Sequence, residues 1–322
     1  MKSRFFRLAA LSACAFTTFS VAAWDALPAK NEATLARSFA LPALGQSQIY
    51  APDEQTFQIN LDEITEYYAD RSANESITLD GETTKIGLLY RRGLSNDLEL
   101  TVELPILIVG GGFMDKFIQD WHRAFGLPNG GRENAQNNQR QYQYTRNGVT
   151  QLNVRDKSSG IGDVEVGAGW QLGNGLALRG LIKLPTGNQD HLTGGNLGGA
   201  TWLDWALPFA QGSAFDGFVS GGASVAKRSD VLPSLQRTAL VFGGAGLGYH
   251  LTENLQVLGQ LYGHSALYKD SELDGLRKPG LQLTLGGSYR ISPDYKVNLY
   301  FQEDPIVSSS PDFSVHIGLT LK

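Results

Sequence analysis

Leu281-Gln282-Leu283-Thr284-Leu285-Gly286-Gly287-Ser288-Tyr289-Arg290-Ile291 alternates strictly between two kinds of side chain. Leu281, Leu283, Leu285, Gly287, Tyr289 and Ile291 share one face. Gln282, Thr284, Gly286, Ser288 and Arg290 share the other. A period of two is the signature of an extended strand, whose successive side chains point to opposite faces. The run is about 10 residues, the length a tilted strand needs to cross a bilayer.

The same pattern recurs outward from this stretch. Tyr295, Val297, Leu299 and Phe301 alternate with Lys296, Asn298, Tyr300 and Gln302, and Phe313, Val315, Ile317, Leu319 and Leu321 alternate with Ser314, His316, Gly318, Thr320 and Lys322. Upstream, Leu98, Leu100, Val102 and Leu104 face away from Glu99, Thr101 and Glu103, while Asp163, Glu165, Arg179 and Lys183 mark the polar face of two further runs. Alternating segments lie near 55–68, 77–92, 97–108, 161–172, 175–185, 197–209, 217–227, 236–251, 254–268, 279–291, 294–303 and 312–322. Lipid satisfies no backbone polar group, so spanning strands must close on themselves. The expected fold is all-β: an antiparallel transmembrane β-barrel of about 12 strands. Its apolar face meets lipid, and Glu99, Glu103, Asp163, Glu165, Arg179, Lys183, Arg290 and Lys296 line the lumen. Connections after even strands are short and those after odd strands are longer on the whole, which matches periplasmic turns and extracellular loops. The register across the turn at 173–175 sets Lys183 opposite Glu165 or Asp163.

Export is written at the N-terminus. Lys2, Arg4 and Arg7 precede an apolar run from Leu8 to Ala23 that closes on Val21-Ala22-Ala23, the order of a secretory signal peptide cleaved after residue 23. Leu11-Ser12-Ala13-Cys14 is also similar to a lipoprotein box, but the apolar run continues past it. Cleavage removes the single cysteine, which excludes a disulfide scaffold. Three of the 27 basic residues leave too, so 24 remain against 32 acidic ones, a balance opposed to nucleic-acid binding. The expected surroundings are the outer membrane of a Gram-negative cell, with lipopolysaccharide and the barrel-assembly machinery as partners.

Two regions break the alternation. Residues 24–54, with Pro28, Pro42, Gly45 and Pro52, suit an irregular segment, either a periplasmic tail or a plug in the lumen. The long connection 109–160 opens with Gly110-Gly111-Gly112 and then repeats Phe113, Phe117, Trp121 and Phe125 every fourth residue, with Asp115, Lys116, Gln119 and Asp120 opposite. That spacing predicts a short amphipathic helix in an extracellular loop, ended by Gly126 and Pro128. Its aromatic stripe is the candidate pore constriction, with packing on the barrel rim as the alternative. The stretch 129–151, rich in Asn, Gln and Arg, reads as a mobile loop.

Pro28-Ala29-Lys30-Asn31, Leu41-Pro42, Trp121-His122-Arg123-Ala124-Phe125-Gly126-Leu127-Pro128, Gly130-Gly131-Arg132, Glu303-Asp304-Pro305 and Ser310-Pro311-Asp312 resemble a group of outer-membrane proteins, domain of unknown function 3187. The resemblance spans the mature chain and implies an outer-membrane barrel without naming a substrate. Ser159-Gly160-Ile161-Gly162-Asp163 and Leu184-Pro185-Thr186-Gly187 are similar to short segments of barrels thought to pass hydrophobic compounds. The chain departs from usual barrels in ending Leu321-Lys322 instead of on an aromatic residue. These features together imply a diffusion channel or transporter for small solutes, hydrophobic ones among them. A non-conducting structural or assembly-related barrel is the alternative, and an outer-membrane lipid hydrolase is the third class. A hydrolase needs a serine activated by a histidine. His264-Ser265 point to opposite faces of a strand, and His316 shares a face with Ser314 only at the chain's end, so neither pattern makes a triad. No metal or cofactor motif stands out.

Overall fold

Alternating residues become one closed antiparallel sheet. A computed structural model describes residues 26–126, 131–210, 212–305 and 309–322, so the expected signal peptide lies outside the described residues. The strands are β1 (Gln55–Arg71), β2 (Glu75–Gly93), β3 (Leu98–Gly110), β4 (Gln141–Arg146), β5 (Val149–Val154), β6 (Ser158–Ile161), β7 (Glu165–Gly173), β8 (Leu176–Lys183), β9 (Gly198–Ala206), β10 (Phe215–Ala226), β11 (Ala239–His250), β12 (Leu255–His264), β13 (Gly280–Ser292), β14 (Tyr295–Glu303) and β15 (Phe313–Leu321). Twelve of them, β1–β3 and β7–β15, form the barrel wall. Closure is explicit at β1, where Phe57 pairs with Tyr90 of β2 on one side and with Leu321 of β15 on the other. With every wall strand paired on both edges, no backbone ladder faces the hydrocarbon.

The two faces separate as the alternation predicts. Phe57, Ile59, Leu61, Leu285, Leu299 and Ile317 are exposed on the outer wall, where lipid would cover them. Asn60, Gln260, Gln282, Thr284, Asn298 and Ser314 are buried inside. Connections at one end of the barrel are mostly brief, including 94–97, 174–175, 251–254 and 293–294, and long loops gather at the other.

The first hairpin departs from that rule, because 72–74 alone joins β1 to β2 at the long-loop end. Here the strands, 17 and 19 residues long, rise past the rim, and β2 pairs there with β4 through Ile77 and Tyr144. β4 in turn pairs with β5. The reading of 129–151 as a mobile loop is therefore corrected over its second half, which forms a β-hairpin. Asn147 and Gly148 both have positive φ, 50° and 75°, as a two-residue type I′ turn requires. Asn-Gly was the sequence signal for it.

Helix α1 (Asp115–Phe125) ends on Gly126, which takes the left-handed conformation at φ 69°. No helix among the described residues is long and apolar enough to cross a membrane.

Candidate functional site

Residues 26–50 lie inside the barrel. Pro28 and Pro42 carry no N–H to extend a ladder, and wall side chains take the place of strand partners. The Leu27 amide donates to Gln260 at 2.6 Å, and the Gln260 amide donates back to the Leu27 carbonyl at 3.2 Å. Higher in the lumen, the Thr34 amide donates to Glu66 at 2.9 Å beside the 3₁₀ turn Thr34–Ser38. On the descending limb the Gly45 amide donates to Asp204 at 2.8 Å and the Tyr50 amide to Glu99 at 2.9 Å. The segment thus climbs to the long-loop end and returns to the short-turn end, where β1 begins. Its limbs meet at Gly45, whose φ is +88° and where an added Cβ would stand 2.7 Å from the Ala26 Cβ.

Two kinds of wall hold this segment. Leu27, Phe39, Leu41 and Leu44 are buried in one cluster with the inward-facing Trp202, Phe218, Phe242, Leu258 and Tyr262 of β9–β12. The opposite wall is charged. Lys30 pairs with Glu165 at 3.0 Å and with Glu103 at 3.3 Å, and Lys85 pairs with Glu32 and Glu103, both at 2.7 Å. Toward the short-turn end, Glu99 joins Arg91 at 2.9 Å and Arg179 at 2.5 Å, and Arg179 also reaches Asp204 at 3.2 Å.

Cavities remain on the charged side. One, of about 90 Å³, extends past Asp62, Arg91, Thr101 and Arg179. A second, of about 50 Å³, extends past Arg37, Leu107, Asp163 and Lys183. Both are lined by Lys30, Glu32, Lys85, Glu103 and Glu165, so this five-membered ion cluster separates them.

Six of the expected lumen residues, Glu99, Glu103, Asp163, Glu165, Arg179 and Lys183, point inward and belong to these networks. Arg290 and Lys296 pair with each other across β13 and β14 near the short-turn end, away from the cluster, and Arg290 is exposed. Lys30, Glu32, Lys85 and Arg91 were missed. The last two lay in plain view on the polar face of β2. Lys30 and Glu32 lay in a segment whose local sequence does not reveal that it enters the barrel.

The register pairs Lys183 with Glu165, while its ammonium bonds Asp163 and the Asn196 carbonyl. Asp163 also accepts from the amides of Gly187 at 2.8 Å and Gly195 at 2.7 Å, and the Thr186 hydroxyl donates to the Gly162 carbonyl at 2.7 Å. The Gly162-Asp163 and Thr186-Gly187 motifs therefore meet in one knot that ties the loop 184–197 to the wall. Exchanging the charges as Asp163→Lys with Lys183→Asp is expected not to restore stability, since a lysine cannot accept from two amides. Each single substitution and the double should lower the unfolding free energy of refolded protein by about 1–3 kcal/mol per orphaned group, read as a lower urea midpoint. A restored midpoint would show that only the charge pair matters.

The aromatic stripe lies elsewhere. Trp121 packs edge-on against Phe301 and tilted against Phe313, at 6.0 and 6.1 Å between ring centroids, and Phe117 packs tilted against Phe313 at 6.0 Å. Phe301 and Phe313 belong to the outward faces of β14 and β15, so α1 rests on the outside of the wall. Phe113, Phe117 and Phe125 are 68%, 47% and 64% exposed there. The expectation that Phe113, Phe117, Trp121 and Phe125 narrow the pore is corrected: the outer rim offers them apolar partners and the lumen is already filled. Arg132 fastens the helix by pairing with Asp115 and, at 2.7 Å, with Asp312, whose carboxyl burial pushes up to about 6 against the pull of Arg132. Trp121→Ala should cost about 1–3 kcal/mol through lost ring contacts and leave conductance unchanged. A rise in conductance would return the stripe to the pore.

Solved structures of outer-membrane barrels are similar to this chain. A COG4313 outer membrane channel from Pseudomonas putida F1 superposes with a TM-score of 0.55 at 12% identity, covering 86% of this chain and 98% of that one. The NanC porin superposes with a TM-score of 0.45 at 12% identity, covering 83% and 99%. The first of these shows the fold. No curated protein matches the chain. The family described as "Protein of unknown function (DUF3187)" matches residues 13–322, and the chain belongs to that family.

Proposed function

We propose that this barrel is an outer-membrane channel or transporter for small polar solutes, with residues 26–50 as its restriction. The observation that carries this reading is the pair of lumen cavities abutting across the Lys30–Glu103–Lys85 cluster on one charged wall. A permanently sealed barrel has no need of two water-sized spaces lined by ionised groups, each of which is costly to desolvate. The described outer-membrane channel of like fold is consistent with it. The lining favours polar cargo, because both cavities adjoin the charged wall.

The short-turn end would face the periplasm, with the signal peptide removed after Ala23 and insertion left to the barrel-assembly machinery. Mass measurement of protein purified from outer membranes would then give a chain beginning at Trp24. A tag near Gln136 would be reachable on intact cells. The filled lumen favours a second reading, a non-conducting structural barrel. Planar-bilayer recording of pure protein separates the two. Discrete, ion-dependent steps support the channel, and a silent bilayer containing demonstrably folded protein favours the structural barrel.

A further inference from the structure

Helix α1 stands on the outer wall at the level where that wall stops being apolar. Along the outward face of β14, Leu299 and Phe301 are followed by Glu303. Leu299 pairs with Ile317 of β15, and both are exposed on the outer wall. Phe301, one step of about 7 Å further along the same face, meets Trp121. The Trp121 indole N–H donates to Glu303 at the charged edge. Trp121 thus joins the last apolar step of the wall to the first charged one, the place an indole takes at a membrane–water boundary.

The helix carries more apolar surface than the wall covers. Phe117 rests on Phe313, which shares the outward face of β15 with Val315 and Ile317, yet Phe113, Phe117 and Phe125 stay largely exposed. Their rings continue a surface that the barrel already turns outward. Three rings exposed to this degree offer at most about 450 Å², against roughly 600 Å² a side for even a small stable interface, so the stripe suits lipid better than a second copy. Charge points the same way. Lys116 and Arg123, two turns apart, lie on one flank of the stripe and are exposed. The Arg123 pair with Asp120 at 2.7 Å is itself exposed and holds the guanidinium weakly. Asp115, on the opposite flank, is taken by Arg132. An aromatic face edged by cations is the build of a helix lying in the plane of a leaflet, rings among acyl chains and cations at the phosphates.

We propose that α1 is an interfacial lipid anchor: Phe113, Phe117 and Phe125 insert among the acyl chains of the outer leaflet, and Lys116 and Arg123 meet its headgroup phosphates. This rests on the barrel standing in a membrane, as the proposed function has it, and the test separates the two. Cys14→Ser leaves the full chain without cysteine. In that background Phe113→Cys, Phe125→Cys, Leu299→Cys and Asn153→Cys each carry one nitroxide label, in vesicles of phosphatidylcholine and phosphatidylglycerol, with heat-modifiable migration verifying each barrel. Leu299 reports the outer wall, and Asn153 is an exposed residue of the β4–β5 hairpin. Labels at Phe113 and Phe125 are expected to relax faster with dissolved oxygen, which concentrates in lipid, than with a water-soluble nickel complex, as at Leu299 and opposite to Asn153. Lys116→Glu with Arg123→Glu should raise nickel access at the Phe125 label severalfold, as lost attraction to an anionic surface implies. Nickel-favouring labels at Phe113 and Phe125 beside an oxygen-favouring Leu299 would overturn the anchor and leave the membrane reading standing. A nickel-favouring Leu299 would overturn both. Spin–spin broadening between copies at Phe113 would put a second copy on the stripe in place of lipid, and an unmoved Phe125 label after charge reversal would overturn the phosphate contact.

Discussion

Deleting residues 26–50 is expected to raise single-channel conductance severalfold while the barrel stays closed. The physical reason is that the segment contributes nothing to the strand ladder. Its amides at Leu27, Thr34, Gly45 and Tyr50 are bonded to wall side chains, whereas closure rests on β1 pairing with β2 and β15. Barrel width leaves room for this outcome. Eight strands are filled by their own side chains and sixteen leave an aqueous channel, so twelve stand between, with a lumen that needs a filler to be narrow. The deletion also uncovers Trp202, Phe242 and Tyr262, which the segment's leucines and Phe39 now cover. A lower unfolding midpoint should therefore accompany the larger conductance. Heat-modifiable migration on gels verifies folding, and bilayer recording reads the pore. A folded deletion protein with wild-type conductance would show that solutes pass by another route.

What was legible in the sequence follows from how local each interaction is. Strands such as 279–291 and 294–303 were readable because period-two alternation reports which face is wet, and the observed β13 and β14 fall almost on those limits. Helix α1 was readable for the same reason, its aromatic residues recurring on one side and Gly126 ending it. Which surface that side packs on was not readable. The answer lies in Phe301 and Phe313, nearly two hundred positions away and joined to α1 only by barrel closure. The lumen segment shows the same limit: Pro28 and Pro42 argued that it was no strand, but Leu27 finds its partner in Gln260, 233 residues on. Large apolar residues on the inner face, Trp202, Phe218 and Phe242 among them, were the overlooked hint that something apolar is held inside. The hairpin at Asn147-Gly148 was a different kind of miss. Its turn signal was local and present, and the polar composition around it concealed the strands.

Glu99→Leu is expected to be among the most destabilising single changes in the chain, lowering stability by about 3–5 kcal/mol, the cost of removing one partner from a buried ion pair. Glu99 is wholly buried and accepts from Arg91 Nε at 2.9 Å, from Arg179 at 2.5 Å and from the Tyr50 amide at 2.9 Å. Without it two guanidinium groups face each other across a lumen that has little water. Arg179 keeps Asp204 at 3.2 Å, and Arg91 keeps the Gln48 carbonyl at 2.7 Å and the face of Tyr50 at 3.9 Å. The neighbouring 90 Å³ cavity admits some solvent to Arg91, which favours the lower part of the range. Glu99→Gln keeps two hydrogen-bonding positions but no charge and should fall between wild type and Leu. The site also anchors the returning limb, since both arginines bind carbonyls of Gln46 or Gln48. Loosening it should release residues 46–50 before the barrel itself unfolds. Urea titration of protein refolded in vesicles would then show an early, low-cooperativity step, and bilayer records would show frequent openings at voltages where wild type is quiet. A Leu variant with an unchanged midpoint and quiet records would mean that the two arginines are solvated independently, and that the limb is held by its apolar contacts alone.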